Sequence, residues 1–456
     1  MGDAIDVLSR VPWWLDEAPP DPEAEPLAGD AEADVAVVGG GYTGLWTALT
    51  LRRRDPALRV TVVEAEHVGY GPSGRNGGFL ETYWCALPRA RSRLGDEAAL
   101  VLARASEGAL AAVEELGEDV WLRRGGMLEV STTPAQDAAV EDAIRVAAEL
   151  GVPGRAVPSS PAMSPVFRRG VLFPDAATVQ PARLVRALRR AALAAGVTLH
   201  ERTRATSISP GLVTVAGGRL RAPEIVVATN AWTTGWKPVR GRLTNFGSYV
   251  VLTEPVPELL AEIGWTGGEA IVDGRMFVHY FRTTADGRVV MGSGSGPIGR
   301  GGGVGAPFFD DAPTVARAEK GLRRLLPGLA AARVERAWGG PVDVSSDQLP
   351  FFATVPGTRI HYGAGYSGNG VGPSWLGGQI LASLALGADD EWSRLPLANR
   401  QPPRLPPEPI RYVGGAAVRR AILTVEEADE EGRRAGPIAR GIAALPRILG
   451  LRVGTK

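Results

Sequence analysis

Asp34-Val35-Ala36-Val37-Val38-Gly39-Gly40-Gly41-Tyr42-Thr43-Gly44-Leu45-Trp46-Thr47-Ala48-Leu49, followed at a distance by Val60-Thr61-Val62-Val63-Glu64, decides the fold of this chain. Val35 to Val38 form a short continuous apolar run, the pattern of a strand buried on both faces of a parallel sheet. After the glycine turn, Leu45, Ala48, Leu49 and Arg52 recur with helical spacing until Asp55-Pro56 stops the helix. Val60 to Val63 is a second buried strand, and it ends in Glu64. Together these segments make a complete βαβ unit.

The pattern Gly-x-Gly-x-x-Gly alone is weak evidence in a chain with 59 glycines, and it recurs at Gly69/Gly71/Gly74 and Gly294/Gly296/Gly299. Only Gly39/Gly41/Gly44 has a buried strand before it, a helix after it and an acid 20 residues past its last glycine. Gly39 makes the tight turn, Gly41 lets the backbone approach a pyrophosphate, and Gly44 lets helix and strand pack closely. The helix N-terminus offers free N–H groups and partial positive charge to the phosphates, and Glu64 accepts from the adenosine ribose. The third match runs into Pro297 and Gly301 to Gly303 and reads as a mobile loop.

Outside this unit, residues 1–29 are a Pro- and acid-rich lead-in, with Trp13 and Trp14 marking a part that docks. An alanine-rich helix is expected over about 97–116. Another runs from Thr133-Pro134 to Gly151 with Thr133 as cap, and a third from Pro181 to Gly196. Strands follow near 197–200, 212–215 and 225–228, and residues 246–292 alternate like antiparallel strands. A strand at Ile360 to Ala364 and a helix from Pro373 to Leu386 return late. The expected fold is α/β: a discontinuous dinucleotide-binding Rossmann-type domain (30–82, 160–235 and 335–390) with an inserted antiparallel β-sheet substrate domain (83–159 and 236–334). Residues 391–456 form a C-terminal extension, read as a charged helix at Glu426 to Arg434 and a basic amphipathic end packed on the surface.

Composition sets outer limits. The 456 residues are 45% apolar and 22% charged with zero formal net charge, which fits a globular protein and shows no footprint for nucleic acid or an anionic membrane. No apolar run approaches the roughly 18 residues of a spanning helix, and the N-terminus lacks an export signal, so a cytoplasmic location is expected. The single cysteine, Cys85, has no internal disulfide partner, and four scattered histidines form no metal cluster. Nearly all positive charge is arginine.

Two glycine-rich surfaces besides the first turn, Gly71-Pro72-Ser73-Gly74-Arg75-Asn76-Gly77-Gly78 and Gly365-Tyr366-Ser367-Gly368-Asn369-Gly370-Val371, suit a long cofactor such as FAD; a nicotinamide dinucleotide would need only one. The segments VAVVGGGYTGLWTAL, VVEA, YGPSGRNGG, IVVATNAW, VHYFRTTADGR, RAWGGPVDVSSDQLPFF and AGYSGNGV, in that order, resemble the D-amino-acid oxidase (glycine/sarcosine oxidase) superfamily, and within it the γ-glutamylputrescine oxidase branch. The resemblance covers roughly 30–390. It implies that Gly39, Gly41, Tyr42, Thr43, Gly44, Glu64, Ala65, Ser73, Gly74, Arg75, Asn76, Gly77 and Gly78 line FAD. It also implies that Ala205, Thr229, Asn230 and Ala231 flank the adenosine, with Gly365, Gly368, Asn369, Gly370 and Val371 near the flavin pyrimidine end.

Departures from the family narrow the substrate. Relatives that oxidise amino acids clamp the carboxylate with arginines, in segments that read Trp338-Gly339-Gly340 and Tyr366-Ser367-Gly368-Asn369 here, where glycine or small residues stand. Relatives that bind FAD covalently use a cysteine in the segment here read Arg336-Ala337-Trp338-Gly339, so FAD is expected to be non-covalent. Some relatives place a lysine over the flavin on the strand here written Arg288-Val289-Val290-Met291-Gly292, and this chain has none.

Substrate-facing candidates are Tyr83, Trp84, His279, Tyr280 and Arg282. Strand alternation turns Tyr280 and Arg282 to one face and His279 to the other. The structural alternative is a strand with one packed face, Arg282 pairing with Asp273 or Asp286. The expected activity is oxidation of a small primary or secondary amine with O2 as acceptor. Alternatives are a dehydrogenase that passes electrons to a quinone or carrier protein, docked by the basic tail, and a flavin-binding protein without oxidase chemistry.

Overall fold

In the computed structural model, which describes residues 7–158 and 163–448, the strand Val35–Val38 lies inside a six-stranded sheet. Its neighbours on either side, Val60–Val63 and Glu224–Val227, run parallel to it and are buried along their whole length, which is why both read as apolar runs. Ile360–Ala364 extends the sheet in parallel on one side and Thr198–His200 on the other. Phe351–Thr354 closes it antiparallel. The helix Tyr42–Arg54 packs against Pro181–Ala194 and against Val371–Leu386, so the late strand and helix return to the first βαβ unit. This returning helix begins at Val371, which leaves Pro373 in its first turn, where a missing N–H costs nothing.

A second, eight-stranded sheet is antiparallel except where Ala270–Asp273 runs beside Met127–Ser131 in parallel. Two of its strands, Arg169–Phe173 and Val334–Ser345, fall in segments expected to belong to the dinucleotide unit. Ladder hydrogen bonds tie them to Met127–Ser131 and Leu243–Thr253, so these boundaries are corrected. The helix Ala312–Leu325 seals this sheet's core around Trp265, Phe281 and Met291. No helix among the described residues is long and apolar enough to cross a membrane.

Local expectations are corrected at four places. The alanine-rich stretch is two helices, Asp96–Ser106 and Gly108–Glu114, meeting where Gly108 abuts the Trp375 ring and Glu107 accepts from the Trp84 indole (2.8 Å). Thr133 makes no cap bond; a 3-10 turn at Pro134–Gln136 precedes the helix Asp137–Leu150. The third glycine pattern is held rather than loose, because Gly247 donates to the Pro297 carbonyl (2.7 Å) and accepts from the Gly296 N–H (2.9 Å), and Gly299 donates to the Asn245 carbonyl (2.8 Å). The tail helix spans Ile410–Glu430, and Glu426 belongs to its last turns.

The lead-in docks through Trp14, whose buried indole donates to the Asn76 carbonyl (2.9 Å). Trp338 donates to the carbonyl of Arg75 (2.8 Å), and Arg282 donates from Nε to that of Gly77 (2.7 Å). Arg282 also donates to Val179 (2.6 Å) and lies over the Trp14 ring, 5.0 Å from its centre. Three successive carbonyls of the second glycine loop are thus gripped from behind. Burial pushes the Arg282 guanidinium down to about 9, so it remains charged at neutral pH while its donors are met by carbonyls and no carboxylate. Arg282→Met leaves the Gly77 and Val179 carbonyls unpaired, and each such orphan costs about 1–3 kcal/mol. Its urea unfolding midpoint is expected to fall by at least that amount of stability, with reduced cofactor content; an unchanged midpoint contradicts the clamp.

Candidate functional site

The glycine turn after Val38 has the expected geometry. Gly39 adopts φ +114°, and a Cβ there would lie 2.5 Å from the Ala228 carbonyl oxygen. A Cβ on Gly44 would lie 1.9 Å from the Gly39 carbonyl oxygen, so helix and strand meet only because both are glycine. The second glycine stretch repeats this: a Cβ on Gly74 would come within 2.2 Å of the Gly69 carbonyl oxygen. Ser73 joins the two turns by accepting from the Tyr42 N–H (2.9 Å).

Glu64 accepts from the backbone N–H groups of Gly40 (2.7 Å) and Glu66 (3.0 Å), and burial raises its carboxyl above the ordinary range. Ala65 follows it. The Thr203 N–H donates to the Glu64 carbonyl (2.7 Å), which brings the strand that starts at Ala205 beside the same turn.

From this turn a cavity of about 900 Å³ opens. Its inner part is lined by Tyr42, Thr43, Ser73, Arg75, Asn76, Gly77, Asn230, and the loop Gly368, Asn369, Gly370 and Val371. Gly39, Gly41, Gly44, Glu64, Ala65, Gly74, Gly78, Ala205, Thr229, Ala231 and Gly365 are not among the residues that line it. Two helices, at Tyr42 and Val371, point their N-termini toward this space, the arrangement that suits phosphates and other electron-rich groups. A dinucleotide cofactor fits its volume and the two helix N-termini that open on it.

Asp343 sits at the floor with both oxygens used, one by Asn230 Nδ2 (2.9 Å) and the other by the Gly365 N–H, and its own carbonyl accepts from Ser367 N–H (2.9 Å). Burial lifts its carboxyl to about 7. Asn230 (φ +45°), Ser367 (φ +56°) and nearby Gln348 (φ +62°) hold left-handed conformations that cost non-glycine residues energy, and such strain gathers at functional sites.

The outer chamber contains Phe79, Glu81, Cys85, Arg89, Glu129, Met276 and Tyr280. The Tyr280 hydroxyl bonds Ser248 Oγ (2.8 Å), and its ring meets Phe79 edge-on (5.7 Å). Of the expected substrate-facing residues, Tyr280 alone lines the cavity. Arg282 is turned to the glycine-loop carbonyls and pairs with neither Asp273 nor Asp286. His279 points to the other face, as alternation requires, where its Nδ1 meets Asp273 (2.8 Å). Trp84 is held by Glu107, and Tyr83 is buried beside it. Arg75 lines the cavity but spends its guanidinium on the carbonyls of Tyr70 (2.7 Å) and Arg10 (2.7 Å) and on the faces of Tyr70 and Phe309.

Several cavity residues were not singled out from the sequence. Glu81 stands two places beyond Phe79 on the strand Phe79–Glu81, and Glu129 is a lone charge in the apolar strand Met127–Ser131. Both were visible as acids in strand patterns. Arg89, on the helix Leu87–Leu94, donates to the Asn369 amide oxygen (3.2 and 2.6 Å), an arginine that no motif announced. The tail is also corrected: it walls the chamber. Glu426 and Glu430 hold the buried Arg275 (3.0 and 2.7 Å), Glu426 also accepts from the Met276 N–H (2.6 Å), and the helix Pro437–Ile448 presents Ala443, Pro446 and Arg447 to the chamber mouth.

Glu64→Gln tests the turn. One carboxylate oxygen would become an NH2 facing a backbone N–H, so dinucleotide Kd is expected to rise at least tenfold, about 1.4 kcal/mol, without loss of fold. Equal Kd values by fluorescence titration would remove Glu64 from cofactor binding.

The family model described as FAD dependent oxidoreductase matches residues 34–384. The probable oxidoreductase OrdL of Rhizobium meliloti is 30% identical over 83% of this chain and 89% of its own. The gamma-glutamylputrescine oxidoreductase of Escherichia coli is 29% identical over 78% of this chain and 84% of its own. Among solved structures, glycine oxidase from Geobacillus kaustophilus aligns with a TM-score of 0.66 at 22% identity, over 81% of this chain and 99% of that one, a likeness of fold.

Proposed function

Because the chain belongs to the FAD dependent oxidoreductase family, we propose that it oxidises a small primary or secondary amine that carries no carboxylate on the reacting carbon, with O2 as electron acceptor. Bound FAD supplies the acceptor for the electrons of the C–H bond beside nitrogen; the chain's residues bind, orient and shield. The loops Gly39 to Gly44 and Ser73 to Gly78, with Glu64, would hold the dinucleotide, and Gly368 to Val371 the flavin end. The imine product hydrolyses to an aldehyde and ammonia or a shorter amine, and reoxidation by O2 releases H2O2.

The state of the arginines carries this reading. Arg75 and Arg282 are satisfied by backbone carbonyls. Arg89 donates to Asn369 and is flanked by Glu81 and Glu129, whose charges would repel a substrate carboxylate. A carboxylate buried without a cation costs several kcal/mol, so α-amino acids are disfavoured. At the mouth, Arg93 and Arg447 are exposed and face the same cavity, which suits an acidic group several bonds from the amine. The relative named as a gamma-glutamylputrescine oxidoreductase acts, by its name, on such a molecule. A second reading, an α-amino acid held by Arg89, is favoured by one observation: the Arg89 Nε–H is buried without a partner.

Comparing kcat/KM in air, with H2O2 detection, separates the two. Terminal or N-substituted amines, including polyamine derivatives with a remote acid, are expected to exceed glycine, sarcosine and D-alanine. Decisive preference for those three would assign their carboxylate to Arg89, and flavin reduction without H2O2 would assign the electrons to another acceptor. The purified protein is expected to be yellow and to release its flavin on acid precipitation; colour left in the pellet means a covalent link.

A further inference from the structure

The strand Phe79–Glu81 leaves the gripped glycine loop directly, and alternation turns Phe79 and Glu81 to the same side, into the outer chamber beside Tyr280. The buried acids nearest the glycine turn, the cavity floor and the tail are each held by a partner. Glu64 caps two N–H groups, Asp343 holds Asn230 and Gly365, and Glu426 holds Arg275. The Glu81 carboxylate, by contrast, makes no hydrogen bond and no ion pair with any described residue. The charged and titratable groups around it are Arg89 from the helix Leu87–Leu94, Glu129 from the strand Met127–Ser131, and the thiol of Cys85. Phe79 and Tyr280 add aromatic faces to the same wall, surfaces that attract an alkylammonium.

We propose that Glu81 is the ammonium-binding residue of this chamber and takes the proton of the bound amine before oxidation. This rests on the amine-oxidation reading above. An alkylammonium cannot be oxidised directly, because its nitrogen lone pair is held in an N–H bond and cannot form C=N. Proton transfer from the ammonium to the Glu81 carboxylate gives a neutral amine and a neutral carboxylic acid. The neutral amine could then give up the hydride of its adjacent C–H bond, for which bound FAD would be the acceptor, its lone pair closing the C=N bond as iminium. The Glu81 proton passes to solvent before the next turnover.

In water this transfer is uphill, since an alkylammonium titrates near 10. Burial changes the balance, because removing water disfavours both charges and moves the carboxyl up and the ammonium down. The chamber already acts in this way on Glu81: burial, with Glu129 adding to it and Arg89 opposing, lifts the carboxyl to about 7.

The sign of the pH dependence follows. Below about 7 Glu81 is protonated and can neither attract the ammonium nor accept its proton, so kcat/KM should fall about tenfold per pH unit. Glu81→Gln should lose this acid limb and about 100-fold of kcat/KM, whereas Glu81→Asp keeps the limb. A readout apart from turnover uses tetramethylammonium, which cannot be oxidised. Its calorimetric affinity for the holoenzyme should rise through pH 7 in the wild type and be weak and flat in Glu81→Gln. An unchanged pH profile in Glu81→Gln, or tetramethylammonium binding indifferent to it, overturns the proposal. If tetramethylammonium binding follows Glu81 but no amine bleaches the flavin, the cation site stands, and the proton transfer falls with the reaction it serves.

Discussion

Three consecutive carbonyls, those of Arg75, Asn76 and Gly77, are each held by a buried donor from a different part of the chain: Trp338, Trp14 and Arg282. The donors come from the long strand Val334–Ser345, the N-terminal lead-in and the strand His279–Thr283, so the two sheets and the lead-in meet at one short loop. A glycine-rich backbone would otherwise sample many conformations, and ordering it costs about 1–2 kcal/mol per residue. Gripping its carbonyls from behind fixes the side that faces the cofactor. It also explains two buried guanidinium groups that have no carboxylate: Arg75 and Arg282 act as forks of donors for backbone oxygens.

The same loop leads into the outer chamber, so on the proposed reading cofactor position and substrate position share one origin. Residue 77 lies at the inner cavity, and one residue later, past Gly78 (φ +77°), the strand Phe79–Glu81 carries residues 79 and 81 into the outer chamber. Across from it, Asp343 holds Asn230 and the Gly365 turn in strained conformations. Both walls are therefore held by hydrogen bonds within the protein, and dipoles fixed in this way act at little reorganisation cost.

The βαβ unit and its glycines were legible because each rests on local rules: Gly44 must lack a Cβ to sit on the Gly39 carbonyl, and Val35–Val38 must be apolar to lie between two parallel strands. Trp14 and Trp338 could be seen to be unusual, yet nothing in their spacing says that they share a loop. Arg282 was placed on the correct face by alternation and then misread, because the face holds both Tyr280, open to the chamber, and a guanidinium turned to carbonyls. Arg89 had no signal at all: its helix, Leu87–Leu94, reads as an ordinary amphipathic surface segment. Non-local contacts decide these roles, and pattern rules see only neighbours in sequence.

The two tail helices lie beyond residues 34–384, the span matched by the family model, yet they complete the mouth of the chamber. The first of them attaches through Glu426 and Glu430 on Arg275, through Arg419 on the Ser295 carbonyl and through Ile422 and Leu423 packed with Phe246 and Phe277, and the second packs on the first. The enzyme is therefore modular in an engineering sense. The glycine loop and the outer cuff are held by different side chains, so the cuff around Ala443 to Arg447 can be randomised for substrate range while flavin loading is monitored.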